Sequence, residues 1–265
     1  MAGRGESSLN EEAGSALARL YDLDLEDDPG DLDLYLSLAR RTGGPILELA
    51  VGTGRLAIPL ANAGFDVTGV DIDPGMLDRA RVRAGTAGLD GRVHLVEADI
   101  LGLDLASTGA FRLGFIALNS LLLLGDRAAQ RDALRTLARH LAPGGLAVVD
   151  VWLPDVDDLS RFDGRIVLDY ARLDRETGLT VTKAASAQHD PVSQQVTLTT
   201  LYEASRQGEA ARRWVRVDKL RLVSADELQG FAEDVGLEVE TLGGGYDLSP
   251  LGPTSDRAVL VARRP

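Results

Sequence analysis

The 265-residue chain has no cysteine, only three histidines, and aromatic residues make up just 5% of it. Without cysteine there is no disulfide, no thiolate nucleophile and no Cys-ligated metal, and no metal site is expected. No stretch approaches the roughly 20 consecutive apolar residues that span a bilayer, and the opening Met1–Ser8 lacks the apolar core of a signal peptide. The expectation is a cytoplasmic protein with no membrane partner. Bases are scarce beside acids, 28 against 41 for a net charge of −13. A nucleic-acid partner is therefore disfavoured, because contact with a phosphate backbone needs a basic face.

Apolar residues make up 45% of the chain, ample for a large core. The length suits one domain carrying an elaboration. Residues 1–10 are polar and small and are expected to fray. A short helix is expected over 11–21, an acidic stretch over Asp22–Asp33, and a helical run from there to Arg41. Apolar strands at 45–50, 66–71, 92–97, 111–118 and 145–152 then alternate with helices at 54–63, 74–87 and 127–141. Such alternation implies parallel strands joined by right-handed crossovers. After Pro154 the pattern changes to alternating runs, Arg165–Tyr170, Thr180–Ser186, Val196–Ala204 and Trp214–Val223, separated by turn residues. These predict antiparallel pairing, with His189 in one of the turns. Residues 224–236 open on a Ser-x-x-Glu capping box and close at Gly236. Strands at 237–242 and 256–263 finish the chain. The expected division is a main domain of 1–154 and 223–265, with an antiparallel insertion of 155–222.

The most informative stretch is Ile46–Ala57, a buried-strand pattern that enters a glycine turn and then a helix. Gly52-x-Gly54-x-x-Ala57 satisfies the fingerprint in which backbone N–H groups at a helix start face a pyrophosphate. Glu48, just before the turn, argues against a pyrophosphate, which it would repel. It would attract a ligand bearing an ammonium and a sulfonium, so the motif suits S-adenosylmethionine better than NAD.

In an open α/β sheet the ligand lies at the carboxyl ends of the strands. After the second strand Asp71 falls 19 positions beyond Gly52, the offset at which a carboxylate reaches ribose hydroxyls. Ile72 is placed against one face of the adenine, and Asp73 caps the next helix with Pro74 in its first position. After the third strand Asp99 is a candidate acceptor for the adenine amine, with the Ile100 backbone at a ring nitrogen. After the fourth comes Asn119, whose backbone carbonyl is expected at the ligand's ammonium and whose side chain at a second substrate.

These stations together resemble the class I S-adenosylmethionine-dependent methyltransferases, in particular the branch acting on small molecules. The resemblance covers about residues 15–152 and 224–265. It implies a Rossmann-like, mostly parallel seven-stranded sheet closed by an antiparallel hairpin, with the antiparallel insertion as a lid. It also implies Glu48 at the methionine end, Asp71 at the ribose and Asp99 at the adenine, with Ala50, Gly52, Gly54, Ile72, Met76, Ile100 and Asn119 completing the cofactor site. Ala50 stands where the family's first motif usually has a glycine. Leu123 stands where related members often carry a histidine.

A general base is hard to find. His94 lies within a strand and reads as half-buried and structural. His140 reads as a cation complementing a helix dipole, and His189 as solvated. Tyr21, Asn119 and Tyr246 are the candidate catalytic side chains. Trp152, Asp247, Ser249, Tyr170 and Tyr202 are further candidates for the acceptor side. The partner expected is a small-molecule methyl acceptor with a nitrogen or oxygen nucleophile, and a homodimer through the insertion is a further expectation. The competing readings are an NAD-dependent oxidoreductase using the same turn, and a protein that binds S-adenosylmethionine without catalysis.

Overall fold

The structure, a computed structural model, describes residues 3–265, with side chains from residue 14 onward. In chain order it runs α1 (Gly3–Asp24), α2 (Leu32–Thr42), β1 (Ile46–Leu49), α3 (Ala57–Asn62), β2 (Val67–Asp71), α4 (Pro74–Thr86), β3 (Val93–Glu97) and β4 (Phe111–Ile116). There follow a 3-10 turn (Ser120–Leu124), α5 (Arg127–His140), β5 (Leu141–Trp152) and α6 (Val156–Arg161). Four strands come next, β6 (Asp163–Asp174), β7 (Leu179–Asp190), β8 (Gln195–Ser205) and β9 (Arg212–Arg221), then α7 (Ala225–Asp234), β10 (Glu238–Gly243) and β11 (Arg257–Arg263). The chain forms two compact units. One holds the residues up to Leu122 together with Asp126–Leu153 and Val223–Pro265, and the other holds Leu123–Gly125 and Pro154–Leu222. No described helix is long and apolar enough to cross a membrane.

The first unit is built on a seven-stranded sheet in the order β10-β11-β5-β4-β1-β2-β3. The pairs β1–β2, β1–β4, β2–β3 and β4–β5 are parallel, while β11 runs antiparallel to both β5 and β10. All four residues of β1 are buried because a strand flanks each edge and the core covers both faces. Tyr35 of α2 packs its ring 4.5 Å from that of Phe115 on β4. Side chains such as Leu47, Leu60, Phe115 and Leu137 are fully buried, each worth about 1.5–3 kcal/mol by removal from water. At Gly69 on β2 an added Cβ would lie 2.6 Å from Val51 Cγ2, so the residue under the glycine turn leaves no room for a side chain there.

Several elements differ from the sequence reading, for identifiable reasons. The first helix begins at Gly3 and runs to Asp24, through residues expected to fray; residues 1 and 2 lie outside the described residues. The helix expected from residue 54 starts at Ala57, because Gly52 and Gly54 hold φ of +55° and +78° and form a turn. The fourth strand stops at Ile116 instead of 118, since Leu118 and Asn119 both take the left-handed conformation, with φ of +49° and +66°. The fifth strand starts at Leu141, directly after α5, and absorbs the Gly144–Gly145 corner as an irregularity. Of the capping box before α7, the Ser224 hydroxyl accepts from Glu227 N at 3.2 Å, while the Glu227 carboxylate pairs with Arg127. A full capping box occurs instead at the unanticipated α6, between Asp155 and Asp158.

The second unit is an antiparallel meander in the order β6-β7-β8-β9. His189 lies on β7 opposite Val196, so the turn begins only after Asp190. The Nζ of Lys183 sits 5.8 and 5.9 Å from the ring centres of Tyr170 and Tyr202, and Tyr202 is buried.

Candidate active site

From β1 the chain passes to β2 and β3 on one side and later returns to β4 and β5 on the other. The order reverses between β1 and β4, and a ligand crevice opens at the carboxyl ends of strands at such a point. Glu48, Ala50 and Gly52 sit at the end of β1, and Leu118 and Asn119 just past the end of β4.

Glu48 is paired in register with Gly69 on one side and Phe115 on the other and is only 4% exposed. Burial raises its pKa well above the carboxylate range, against the opposing pull of Arg55 and a backbone bond from Ala57. Its Oε2 has no hydrogen-bond partner among the described residues. A buried acceptor left in that state costs about 1–3 kcal/mol, more if charged, so it favours a cationic donor. Arg55 donates from both terminal nitrogens to the two oxygens of buried Asp31, each at 2.6 Å. That pairing raises the guanidinium's own pKa despite its burial.

The glycine turn is tied down by Asp71. Its Oδ2 accepts from Gly52 N at 2.8 Å and its Oδ1 from Asp73 N at 3.0 Å. Burial raises the pKa of Asp71 as well, and those backbone donors work the other way. Asp73 caps α4 by accepting from Gly75 N and Met76 N, as its position before Pro74 predicts. Ala50 holds φ of +60°, a left-handed geometry that explains why a glycine is favoured there. Ile72 stands 66% exposed beside Asp71, and Met76 is buried. Asp99 is exposed and turns its Oδ1 to Leu101 N at 2.8 Å, with Ile100 buried beside it.

The Tyr21 ring reaches the turn: a Cβ at Gly52 would lie 3.7 Å from its Cε1. Burial pushes the phenol up to about 12, with Glu48, Asp22 and Asp71 acting in the same direction and Arg55 against them. Neighbouring Asp22 fastens the end of α1, accepting from the Thr53 hydroxyl at 2.5 Å and from Arg83 at 3.2 Å, and pairing with Arg79.

A second cluster surrounds the turn after β4; sequence reasoning found Asn119, Trp152 and Tyr246 but missed Tyr35, Leu118, Asp150 and Arg257. Asp150, fully buried on β5, accepts from Leu118 N at 3.0 Å and from the Tyr35 hydroxyl at 2.8 Å through Oδ1. Its Oδ2 accepts from Arg257 at 2.8 Å and from the Tyr246 hydroxyl at 3.1 Å. Burial raises the Asp150 pKa, and the donors around it oppose the shift. The Arg257 guanidinium also lies 4.5 Å from the centre of the Tyr246 ring. The signal for this cluster was a single acid in the otherwise apolar run Leu146–Trp152. Asn119 lies just past the end of β4, and its Oδ1 accepts from Trp152 N at 2.6 Å, which ties the end of β5 to this turn.

The histidines also need correction. His140 is completely buried, with Nδ1 2.7 Å from Thr136 O and Nε2 accepting from Leu105 N at 3.2 Å. Burial lowers its pKa, so it is a neutral structural imidazole and not the helix-end cation first expected. His94 is exposed on β3, not half-buried.

An α/β sheet with acids at its switch point suits a nucleotide-like ligand that bears positive charge. Arg55 is outnumbered there by Glu48, Asp31 and Asp71, so a pyrophosphate fits poorly. A group carrying an ammonium and a sulfonium fits the orphaned Glu48 oxygen. A model of the methyltransferase domain matches residues 46–145. The cypemycin N-terminal methyltransferase of a Streptomyces species is 30% identical over 232 residues, covering 84% of each chain. Among solved structures, the CcbJ methyltransferase from Streptomyces caelestis superposes with a TM-score of 0.75 at 26% identity, over 91% of this chain and 98% of the other. CalS10 from Micromonospora echinaspora, an amino pentose methyltransferase solved with S-adenosylmethionine bound, gives a TM-score of 0.65 at 25% identity, over 90% and 91%. The chain belongs to the class I S-adenosylmethionine-dependent methyltransferases, and S-adenosylmethionine is its cofactor. The oxidoreductase reading is set aside.

Proposed function

We propose that this enzyme methylates an amine nitrogen of a small molecule. One observation carries the choice of nitrogen: none of the candidate catalytic side chains, Tyr21, Asn119 and Tyr246, is suited to act as a base near neutral pH. Tyr21 is pushed up to about 12 and Tyr246 further still, while His140 is buried with both ring nitrogens engaged. A hydroxyl acceptor needs its proton removed, whereas an amine can arrive deprotonated. The names of the relatives, one acting at an N-terminus and one on an amino pentose, agree with that chemistry.

When bound, the cofactor supplies an electrophilic methyl carbon with a neutral thioether as leaving group. The protein's part is then to align and desolvate the nucleophile. In this reading Glu48 holds the ammonium, and the backbone at Ala50, Gly52 and Gly54 allows close approach. Asp71 accepts from the ribose hydroxyls, and Ile72 and Met76 flank the adenine. Asp99 and the Ile100 backbone meet the adenine edge, and the Asn119 carbonyl faces the ammonium. Tyr21 covers the methionine end as a binding group, not a base.

The meander is proposed to contribute to acceptor choice. Its two open edges, β6 and β9, also suit pairing between copies of the chain. Formation of S-adenosylhomocysteine across a panel of matched amines and alcohols tests the nitrogen assignment. Turnover is expected with amines, and turnover confined to alcohols would overturn it.

A further inference from the structure

The Asp150 cluster is not explained by the chemistry assigned so far. A fully buried carboxylate receives four donors from four separate parts of the chain: the turn after β4, α2, the loop after β10, and β11. A core needs no such network for stability, because apolar residues of similar volume would serve as well. The network converges instead on one backbone N–H, that of Leu118, in a turn where two successive non-glycine residues are left-handed. Such a conformation is strained for a residue with a side chain and persists only when its surroundings over-determine it. The neighbouring Asn119 is held by a separate bond to Trp152 N. Two positions of β5, Asp150 and Trp152, thus grip consecutive residues of the turn.

We propose that Asp150 is a positioning residue for the ammonium subsite. Through Leu118 N–H it fixes the strained turn and so sets where the carbonyls of residues 117–119 face the amino-acid end of the cofactor. Arg257 neutralises the buried charge, and the Tyr35 and Tyr246 hydroxyls fix the carboxylate's own orientation. The inference rests on the cofactor reading above, with the ammonium at the ends of β1 and β4 and the ribose at Asp71.

The test compares two ligands by calorimetry: S-adenosylhomocysteine, and 5′-methylthioadenosine, which lacks the amino-acid portion. For Asp150→Leu, which leaves Leu118 N–H without its acceptor, we expect S-adenosylhomocysteine affinity to fall about tenfold while 5′-methylthioadenosine affinity changes less than twofold. An equal loss of both ligands in Asp150→Leu would make the role merely structural and overturn the proposal, as would no loss of either. If Asp150→Leu does not fold, Asp150→Leu combined with Arg257→Met, which removes the buried charge and its counter-ion together, serves in its place with the same expected selectivity. Asp71→Ala separates the underlying reading: it should weaken both ligands alike, and unchanged binding there would overturn the cofactor placement independently.

Discussion

Gly52 N donates to Asp71 Oδ2 at 2.8 Å, so the carboxylate expected at the ribose also orders the glycine turn. One side chain thereby serves both stability and binding, and two substitutions separate the contributions. Asp71→Asn keeps an acceptor for one of the two backbone N–H groups, sets its amide nitrogen against the other and loses the charge. It should cost about 1–2 kcal/mol of S-adenosylhomocysteine binding and about 1 kcal/mol of stability. Asp71→Ala removes two charge-assisted bonds to backbone and should also lower unfolding free energy by about 2 kcal/mol. Urea denaturation beside calorimetry checks both, and equal stability of the two variants would contradict the bond's role.

The pKa of Glu48 predicts a proton ledger for binding. Its folded value is raised by burial above the roughly 4.3 of an unfolded chain. The ligand-free protein therefore keeps a proton that the unfolded chain has released. Stability from this group is present at low pH and falls as pH climbs from about 4.3 through the raised value. Asp71 and Asp150 act in the same direction. A bound ammonium favours the carboxylate, so binding should expel a proton. Calorimetry over a pH series, each point in two buffers of different ionisation enthalpy, should show release in the parent and much less in Glu48→Gln. Buffer-independent heats in the parent would contradict it.

Ala50 offers a gain in stability. Its φ of +60° costs an L-residue about 1–2 kcal/mol. Glycine removes that cost but adds about 0.4–1 kcal/mol of unfolded-state entropy. Ala50→Gly should therefore stabilise the protein by about 0.5–1 kcal/mol with cofactor affinity intact. A lower midpoint in denaturant would show that the methyl group contributes packing that outweighs the backbone strain.

Much of this was legible in the sequence because it is local. The spacing from Gly52 to Asp71, the Asp73–Pro74 cap and the alternation of strand and helix each depend on a short window. The left-handed pair after β4 was not legible, since Leu118 is an unusual residue for that conformation and only its tertiary partners hold it there. The Asp150 partners lie 115, 107 and 96 positions away for Tyr35, Arg257 and Tyr246, beyond the reach of any periodicity. His140 was misread for a related reason: its position favours a cation, but complete burial outweighs the helix dipole.

The meander is spliced into the chain between β5 and the strand that lies beside it, β11. Arg257 follows Asp150 by 107 positions, so at about 5–20 residues per second the ribosome takes roughly 5–20 s to deliver it. Throughout that interval the outer rim of β5 stays bare and the acid at its tip lacks its counter-ion. The nascent chain thus completes the Asp150 network last, after all five parallel strands have been made.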